Sequence, residues 1–242
     1  MKSYYLYGIH PVISAINNKK RNIFSILCNK KIFDDYENLI KNYNYKIVDN
    51  NTISNTVGKD LTHQGICANV SPLKLIDIKE IDFSDKKTHK VAILDQVTDV
   101  HNVGAIIRSA VFFGVNTIVM QKDCAPEDNA AMSKSSSGAI EYINFCKVTN
   151  ISSSIEYLKE NGFWILGLDS NQSQKIDSKV LSGKVGVVLG SEGFGIRKLV
   201  KSKCDYLMSI ESKIQNLDAK NSLDSLNVSN AAAIIFHMIS SL

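Results

Sequence analysis

Continuous runs of apolar residues recur through residues 91–242 and are separated by segments long enough for helices. The runs are residues 91–94, 117–120, 163–168, 185–189 and 206–210. Strands buried on both faces of a parallel sheet have this continuous pattern, and crossover helices fill the intervening segments. A final apolar stretch, residues 228–239, predicts a closing helix with Asn227 or Ser229 as its N-cap. The pattern therefore predicts an α/β domain on a parallel sheet.

Shorter strand-like and helix-like patterns alternate in the first part of the chain. Strands are predicted at residues 4–7, 23–27, 45–48 and 65–70, and helices at residues 12–16 and 34–41. These elements predict a small α/β unit over residues 1–71. Residues 72–90 are charged and poorly periodic, which indicates a linker before a second domain at residues 91–242.

The composition is that of an ordinary globular protein, with 44% apolar and 21% charged residues among 242. No apolar run is long enough to cross a membrane, and the start lacks a signal-peptide core, which predicts a cytoplasmic protein. The five cysteines are scattered and never spaced C-x-x-C, which argues against a zinc site or a disulfide framework. No metal and no membrane partner are expected.

The basic residues are concentrated in the first third of the chain. Residues 1–90 contain 14 Lys and Arg against 9 Asp and Glu, whereas the remainder is close to balanced within a net charge of +4. The first third is therefore the better candidate for contact with a polyanion. A lysine-rich surface without a binding role explains the excess equally well.

Three segments that follow predicted strands carry the candidate chemistry, and the first is N-V-G-A-I-I-R at residues 102–108. Arg108 is the only charge in an apolar helical run, and its planar guanidinium suits a phosphate or a carboxylate. An arginine that reaches solvent from the edge of the helix is the alternative. Asn102 taken alone is an ordinary N-cap candidate.

The second segment is L-G-S-E-G-F-G at residues 189–195. Its three glycines permit close approach of the backbone to a ligand, but their spacing matches neither common nucleotide-binding motif. Glu192 disfavours a phosphate and suits a cationic or hydroxyl-bearing ligand. An ordinary tight turn is an equally good interpretation of the glycines alone.

The third segment is S-L-N-V-S at residues 225–229, immediately before the closing helix. Ser225, Asn227 and Ser229 alternate with apolar residues and so project to one side of an extended entry to the helix. A capping role is the alternative.

Taken in order, the three segments resemble the three motifs of the SpoU (TrmH-like) RNA ribose 2′-O-methyltransferases. The likeness extends to Y-G-I-H-P-V at residues 7–12 and T-H-Q-G-I at residues 62–66. These are similar to the small RNA-binding domain of bacterial enzymes that methylate a guanosine ribose in 23S ribosomal RNA.

The resemblance implies a SPOUT-type α/β domain with a deep trefoil knot, preceded by a small α/β RNA-binding domain. It implies S-adenosylmethionine as cofactor, RNA as substrate and a homodimer with the site near the subunit contact. The implied cofactor-binding residues are Leu189, Gly190, Gly193, Ile210 and Leu226. The implied catalytic residues are Arg108, with Asn102, Glu192, Ser225 and Asn227 positioning it, the ribose or the methionine part of the cofactor. The family mechanism makes Arg108 a base, but a guanidinium with a pKa above about 12 suits electrostatic stabilisation at least as well.

The sequence departs from the family pattern after Ile210. The usual I-P-M becomes I-E-S at residues 210–212, and the loop before Ser225 is longer, which affects the expected adenine contacts rather than the reaction type. A transfer-RNA substrate is one alternative, which the separate N-terminal domain disfavours. A non-catalytic RNA-binding or ribosome-assembly protein is another, which the retained Arg108 and glycines disfavour. A nucleotide-dependent dehydrogenase lacks its glycine motif.

Overall fold

A computed structural model describes residues 2–84, 88–169, 174, 178–212 and 225–241. In chain order, its strands are β1 (Tyr4–Tyr7), β2 (Ile23–Cys28), β3 (Tyr45–Ile47), β4 (Ile66–Val70), β5 (Lys90–Asp95), β6 (Thr117–Gln121), β7 (Asn144–Val148), β8 (Trp164–Leu168), β9 (Val185–Gly190) and β10 (Tyr206–Met208). Its α-helices, numbered over the described residues, are α1 (Ile9–Asn17), α2 (Lys30–Ile40), α3 (Asn50–Val57), α4 (Val100–Phe112), α5 (Ala130–Ser135), α6 (Ile151–Glu160), α7 (Ser178–Leu181), α8 (Lys198–Lys201) and α9 (Val228–Ser240).

The chain divides into two compact units. The first comprises Met1–Lys74 and Glu127–Tyr142, and the second comprises Leu75–Pro126 and Ile143–Leu242. The segment Glu127–Tyr142, which contains α5, thus belongs to the first unit although its sequence lies within the predicted second domain. The charged stretch predicted as a linker contributes to the second unit, because Ile78 and Phe83 are buried in its core.

The first unit is built on a four-stranded mixed sheet in the order β1-β4-β2-β3. Helices α1 and α2 supply apolar residues to one core with the sheet, in which Leu6, Val12 and Ile40 are fully buried. Side-chain caps start the later helices, since Asn29 accepts a hydrogen bond from Ile32 N and Asp49 accepts one from Thr52 N. The predicted strands and the first two helices are present, and α3 is an addition.

The second unit is built on a six-stranded parallel sheet in the order β10-β8-β9-β5-β6-β7. The central strands are buried along their length, as their continuous apolar runs predict. The α/β class with a parallel sheet is therefore confirmed. The edge strand β7 was not predicted, because its apolar positions are interrupted by Asn144 and Lys147. The trefoil knot stays a prediction.

The closing helix α9 packs on α4, and the rings of Phe113 and His237 lie 5.5 Å apart. Asn227 is its N-cap, as predicted, and accepts a hydrogen bond from Ser229 N at 2.9 Å. Within the described ranges, no helix has the length and hydropathy of a membrane span. In the same ranges, no group of three His, Cys, Asp or Glu side chains is placed to hold a metal ion.

Candidate active site

The carboxyl ends of β5 and β9 lie side by side, because Asp95 pairs with Gly190 at the end of the parallel ladder. Open α/β sheets bind ligands at this edge, where the loops that follow the strands meet. The loop after β9 contains the second motif, and α4 with the first motif follows β5. The third motif enters α9, which packs on α4. The fold therefore gathers the three motifs within the second unit.

An ion pair between the buried Asp95 and the partly exposed Arg197 fixes the loop after β9. The fully buried Asp95 carboxylate accepts hydrogen bonds from Arg197 N at 2.8 Å and from Arg197 Nε at 2.7 Å. The Arg197 Nη2 also donates to Gln121 Oε1 at 3.0 Å. Charge-assisted bonds of this kind are among the stronger ones in proteins. Arg197, at the end of the loop, is thus held against the end of strand β5.

The glycines of the loop have different physical roles. A Cβ at Gly190 would overlap the backbone of Gly195 and Ile196, because the loop folds back directly over the strand end. Ser191 and Gly195 bond each other's backbone at 2.9 and 3.2 Å across this turn, and Gly195 has a φ of +64°. Gly193, in contrast, has no atom within 4 Å of its Cβ position. The backbone packing of the loop therefore requires glycine at position 190. Gly193, in contrast, leaves open space at the tip of the loop.

Three polar side chains, one from each motif, form a closed triangle of hydrogen bonds. The Asn102 Nδ2 donates to Glu192 Oε1 at 2.9 Å. The Asn227 Nδ2 donates to the same Glu192 oxygen at 2.5 Å and to Asn102 Oδ1 at 3.0 Å. The Asn227 Oδ1 is occupied by its capping bonds to Ser229, which fixes the orientation of the amide. We call these three residues the amide–carboxylate triangle.

Asp99, rather than Asn102, is the N-cap of α4, so the interpretation of Asn102 as a cap is wrong. The Asp99 carboxylate accepts from His101 N at 3.0 Å and from Asn102 N at 2.8 Å. Asn102 lies in the first turn of the helix, and its side chain is free to bond Glu192. The N-cap residue Asp99 therefore orients the site residue Asn102, and Asp99 itself is not part of the triangle.

Arg108 lies outside the triangle. It is six residues after Asn102 in α4, which is about 9 Å along the helix axis and about 120° around it. Its side chain is exposed and has no hydrogen bond or ion pair with any described residue. It therefore reaches solvent within the single chain. Phe112, one turn later on the same face, is 81% exposed.

The remaining predicted residues differ in exposure. Leu189 is fully buried at the end of β9, Ile210 is half-buried after β10, and Leu226 is 48% exposed before α9. Ser225 is exposed and has a partner. The departure from the family pattern at residues 213–224 lies outside the described residues.

Sequence reasoning missed the ion pair of Asp95 with Arg197 and the tip residue Phe194, which is 96% exposed. Asp95 ends an otherwise apolar strand, and that break in the pattern was the available signal. Burial raises the pKa of both Cys146 and Cys204 to about 12, so these thiols are neutral and poor nucleophiles. Neither Cys146 nor Cys204 is therefore a candidate nucleophile at neutral pH.

Comparison with known families matches nearly the whole chain in two parts. The SpoU rRNA Methylase family model matches residues 89–237. The model for RNA 2′-O ribose methyltransferase substrate binding matches residues 5–75.

Two curated relatives match over nearly their full length, and a third matches over about seven tenths of its length. The chain is 33% identical to 23S rRNA (guanosine-2′-O-)-methyltransferase RlmB of Coxiella burnetii, over 97% of this chain and 94% of that protein. It is 32% identical to the protein of the same name from Vibrio parahaemolyticus, over 97% and 95%. A putative TrmH family tRNA/rRNA methyltransferase of Staphylococcus saprophyticus is 34% identical, over 74% and 71%.

Solved structures share the fold at lower identity. The SpoU methyltransferase AviRb from Streptomyces viridochromogenes, in complex with AdoMet, has a TM-score of 0.78 and 18% identity, over 99% of this chain and 89% of that one. An AdoMet-bound rRNA methyltransferase from Sinorhizobium meliloti has a TM-score of 0.77 and 19% identity, over 99% and 87%. The family indicated by the three motifs is confirmed: the chain belongs to the SpoU rRNA methylase family of RNA ribose 2′-O-methyltransferases.

Proposed function

We propose that this enzyme transfers a methyl group from S-adenosylmethionine to the 2′-hydroxyl of a guanosine ribose in 23S ribosomal RNA. The amide–carboxylate triangle carries the proposal, because it joins one residue from each motif at the ligand-binding edge of the sheet. The full-length relatives that methylate 23S rRNA guanosine support the substrate.

The residues at this edge fit S-adenosylmethionine. The open space beside Gly193 leaves room for the ligand to approach the backbone, and the half-exposed Leu226 offers an apolar surface to the adenine. Leu189 and Gly190 complete the proposed pocket through their backbone groups, and the half-buried Ile210 adds an apolar side chain. When bound, the cofactor supplies an electrophilic methyl group whose neutral thioether leaving group needs no acid.

The triangle and Arg108 have separate roles in the proposed reaction. Asn227, whose amide is fully used by the triangle and its cap, holds Glu192 and Asn102 in fixed directions, so that the remaining N–H of Asn102 and the Ser225 hydroxyl can bond the ribose or the methionine part of the cofactor. Arg108 would bind the neighbouring RNA phosphate and stabilise the negative charge that develops on the ribose 2′-oxygen. The 2′-hydroxyl proton passes to solvent, because a guanidinium is a poor base at neutral pH.

We also propose that the enzyme acts as a homodimer in the cytoplasm. Phe112 on α4, together with Ile234 and Met238 on the adjacent α9, exposes apolar surface on neighbouring helices. A second copy that covers this surface would place Arg108 at the subunit contact. Its lack of a partner in the described part of the single chain is consistent with that placement.

Methylation of isolated RNA tests the proposal. The protein is incubated with radiolabelled S-adenosylmethionine and, separately, with 23S rRNA and total tRNA from a strain that lacks the gene. We expect label in 23S rRNA at one ribose, which is located by its resistance to alkaline cleavage. Label in tRNA alone would move the substrate to tRNA, and cofactor binding without methylation of either RNA would contradict the proposed activity.

A further inference from the structure

Lys134 of α5 has a positive charge that no nearby carboxylate balances. Its Nζ donates to Thr62 O and to Gln64 Oε1, each at 3.0 Å, and both acceptors are neutral. The ammonium lies 5.8 Å from the centre of the Tyr7 ring. It makes no ion pair with any acidic residue that the structure describes. Partial burial lowers the pKa of Lys134, which reflects the incomplete compensation of its charge.

The lysine lies where the two N-terminal motifs meet. A Cβ at Gly8 would lie 2.6 Å from Lys134 Nζ and 3.0 Å from Gln64 Oε1. Gln64 Oε1 also accepts a bond from Ile9 N at 3.3 Å. Y-G-I-H-P-V and T-H-Q-G-I, which are far apart in sequence, thus form one surface with α5. We call it the motif surface, and it includes the exposed His10.

A buried charge network holds α5 in the first unit. The fully buried Arg21 guanidinium pairs with Asp128 at 2.7 Å and with Glu141 at 3.0 Å, on either side of α5 in sequence. It also donates to Ser71 O at 2.8 Å, and Tyr4 Oη donates to Asp128 at 2.7 Å. Two carboxylates therefore compensate Arg21, which indicates a structural role. The position of Lys134 follows from this anchoring.

We propose that Lys134 binds a phosphate of the substrate RNA at the motif surface. The proposal rests on the proposed function, since RNA is the polyanion that such an enzyme meets. Two of the three ammonium N–H groups are used by neutral acceptors, which leaves one for a phosphate oxygen. The match of residues 5–75 to a substrate-binding model favours RNA over an acidic protein. Lys134, which lies outside that match, would extend the binding surface with a residue from the methylase part of the sequence.

Salt-dependent RNA binding tests this assignment. Binding of protein-free 23S rRNA is measured at KCl concentrations from about 50 to 200 mM for the full-length protein and for Lys134→Met. A lysine that contacts one phosphate contributes about one unit to the slope of log affinity against log salt. We expect Lys134→Met to reduce the slope by about one and to weaken binding about fivefold near physiological salt. The KM for RNA should rise while kcat and cofactor affinity stay unchanged.

Three further variants separate charge from folding. Lys134→Arg keeps the charge and should keep the slope, whereas Lys134→Gln keeps polar contacts and should lose it. Lys30→Met is the matched control, because Lys30 is an exposed lysine of the same unit that is already paired with Asp34 at 2.8 Å. An unchanged slope in folded Lys134→Gln, or an equal loss in Lys30→Met, would overturn the assignment. Failure of the wild type to methylate any RNA would instead contradict the proposed function.

Discussion

Replacing Gly190 by alanine should damage the cofactor loop through sterics alone. The new Cβ would overlap the backbone of Gly195 and Ile196, which cannot move aside as a flexible side chain could. The turn would therefore have to lift away from the end of β9. Gly193→Ala is the matched control, since its Cβ enters open space three residues further along the same loop.

The expected cost follows from the bonds that the lifted turn loses. Two backbone bonds join Ser191 to Gly195, and at about 1 kcal/mol each they account for about 2 kcal/mol. The charge-assisted bond from Arg197 N to Asp95 adds about 2 kcal/mol. Gly190→Ala should thus lower the free energy of unfolding of the second unit by about 4 kcal/mol. Gly193→Ala should leave it within about 0.5 kcal/mol of wild type.

Chemical denaturation without cofactor measures the stability, and calorimetric titration with S-adenosylmethionine measures binding. Gly190→Ala should lose both stability and binding. Gly193→Ala should keep its stability but bind the cofactor at least tenfold more weakly, because its methyl group occupies the space where the ligand is proposed to approach. Equal stability of the two variants would refute the steric argument. Unimpaired binding by Gly193→Ala would place the cofactor elsewhere.

Four other changes test the site and its proposed assembly. Arg108→Ala should abolish methyl transfer and leave cofactor affinity, measured by calorimetry, within about twofold; lost cofactor binding would assign the guanidinium to the cofactor pocket. Asn227→Ala removes the cap of α9 and should lower the free energy of unfolding by about 1 kcal/mol in denaturation experiments. It should also reduce methyl transfer more than Asn29→Ala does, because Asn29→Ala removes only a helix cap. Phe112→Glu should give a folded but inactive protein that light scattering shows to be a monomer. Leu199→Glu, at a 64% exposed position on α8, is the control and should stay dimeric. A dimeric Phe112→Glu protein would refute the proposed contact. Asp95→Asn weakens the charge-assisted hydrogen bonds from Arg197 and should lower the unfolding free energy by about 1–3 kcal/mol. An unchanged denaturation midpoint would show that the pair does not hold the loop.

The fold was predictable where burial is uniform along an element. Strands β5, β6 and β9 are continuous apolar runs because both of their faces are covered, and their pattern needs no knowledge of partners. The edge strand β10 has an apolar run too, although its residues are only half-buried. Strand β7 escaped notice because an edge strand tolerates Asn144 and Lys147. The stretch at residues 75–84 has the charge pattern of a linker, which predicts no burial. Two apolar residues within it, Ile78 and Phe83, are nevertheless buried in the core of the second unit.

The membership of α5 in the first unit was not predictable from local pattern. It depends on Arg21 meeting Asp128 and Glu141, which are more than 100 residues away. Nothing in the sequence near either carboxylate indicates such a partner. The amide–carboxylate triangle is similar, because Glu192 and Asn227 each have ordinary local interpretations as turn and cap. The structure identifies them as one site because it places both at the same edge of the sheet, which the sequence alone does not show.

Two pairs of cations, Arg21 with Arg197 and Arg108 with Lys134, show what the structure adds to a charge count. Arg21 and Arg197 each meet buried carboxylates, so their charges are spent within the fold and their loss should appear mainly as lost stability. Arg108 and Lys134 meet no carboxylate in the described part of the chain, so folding leaves their charges available for an external anion. The charge count alone does not separate these two pairs, since only Arg21 lies in the basic first third of the chain. If RNA is that anion, substitutions at Arg108 and Lys134 should alter RNA-dependent measurements and spare the unfolding free energy, and the reverse should hold at Arg21 and Arg197.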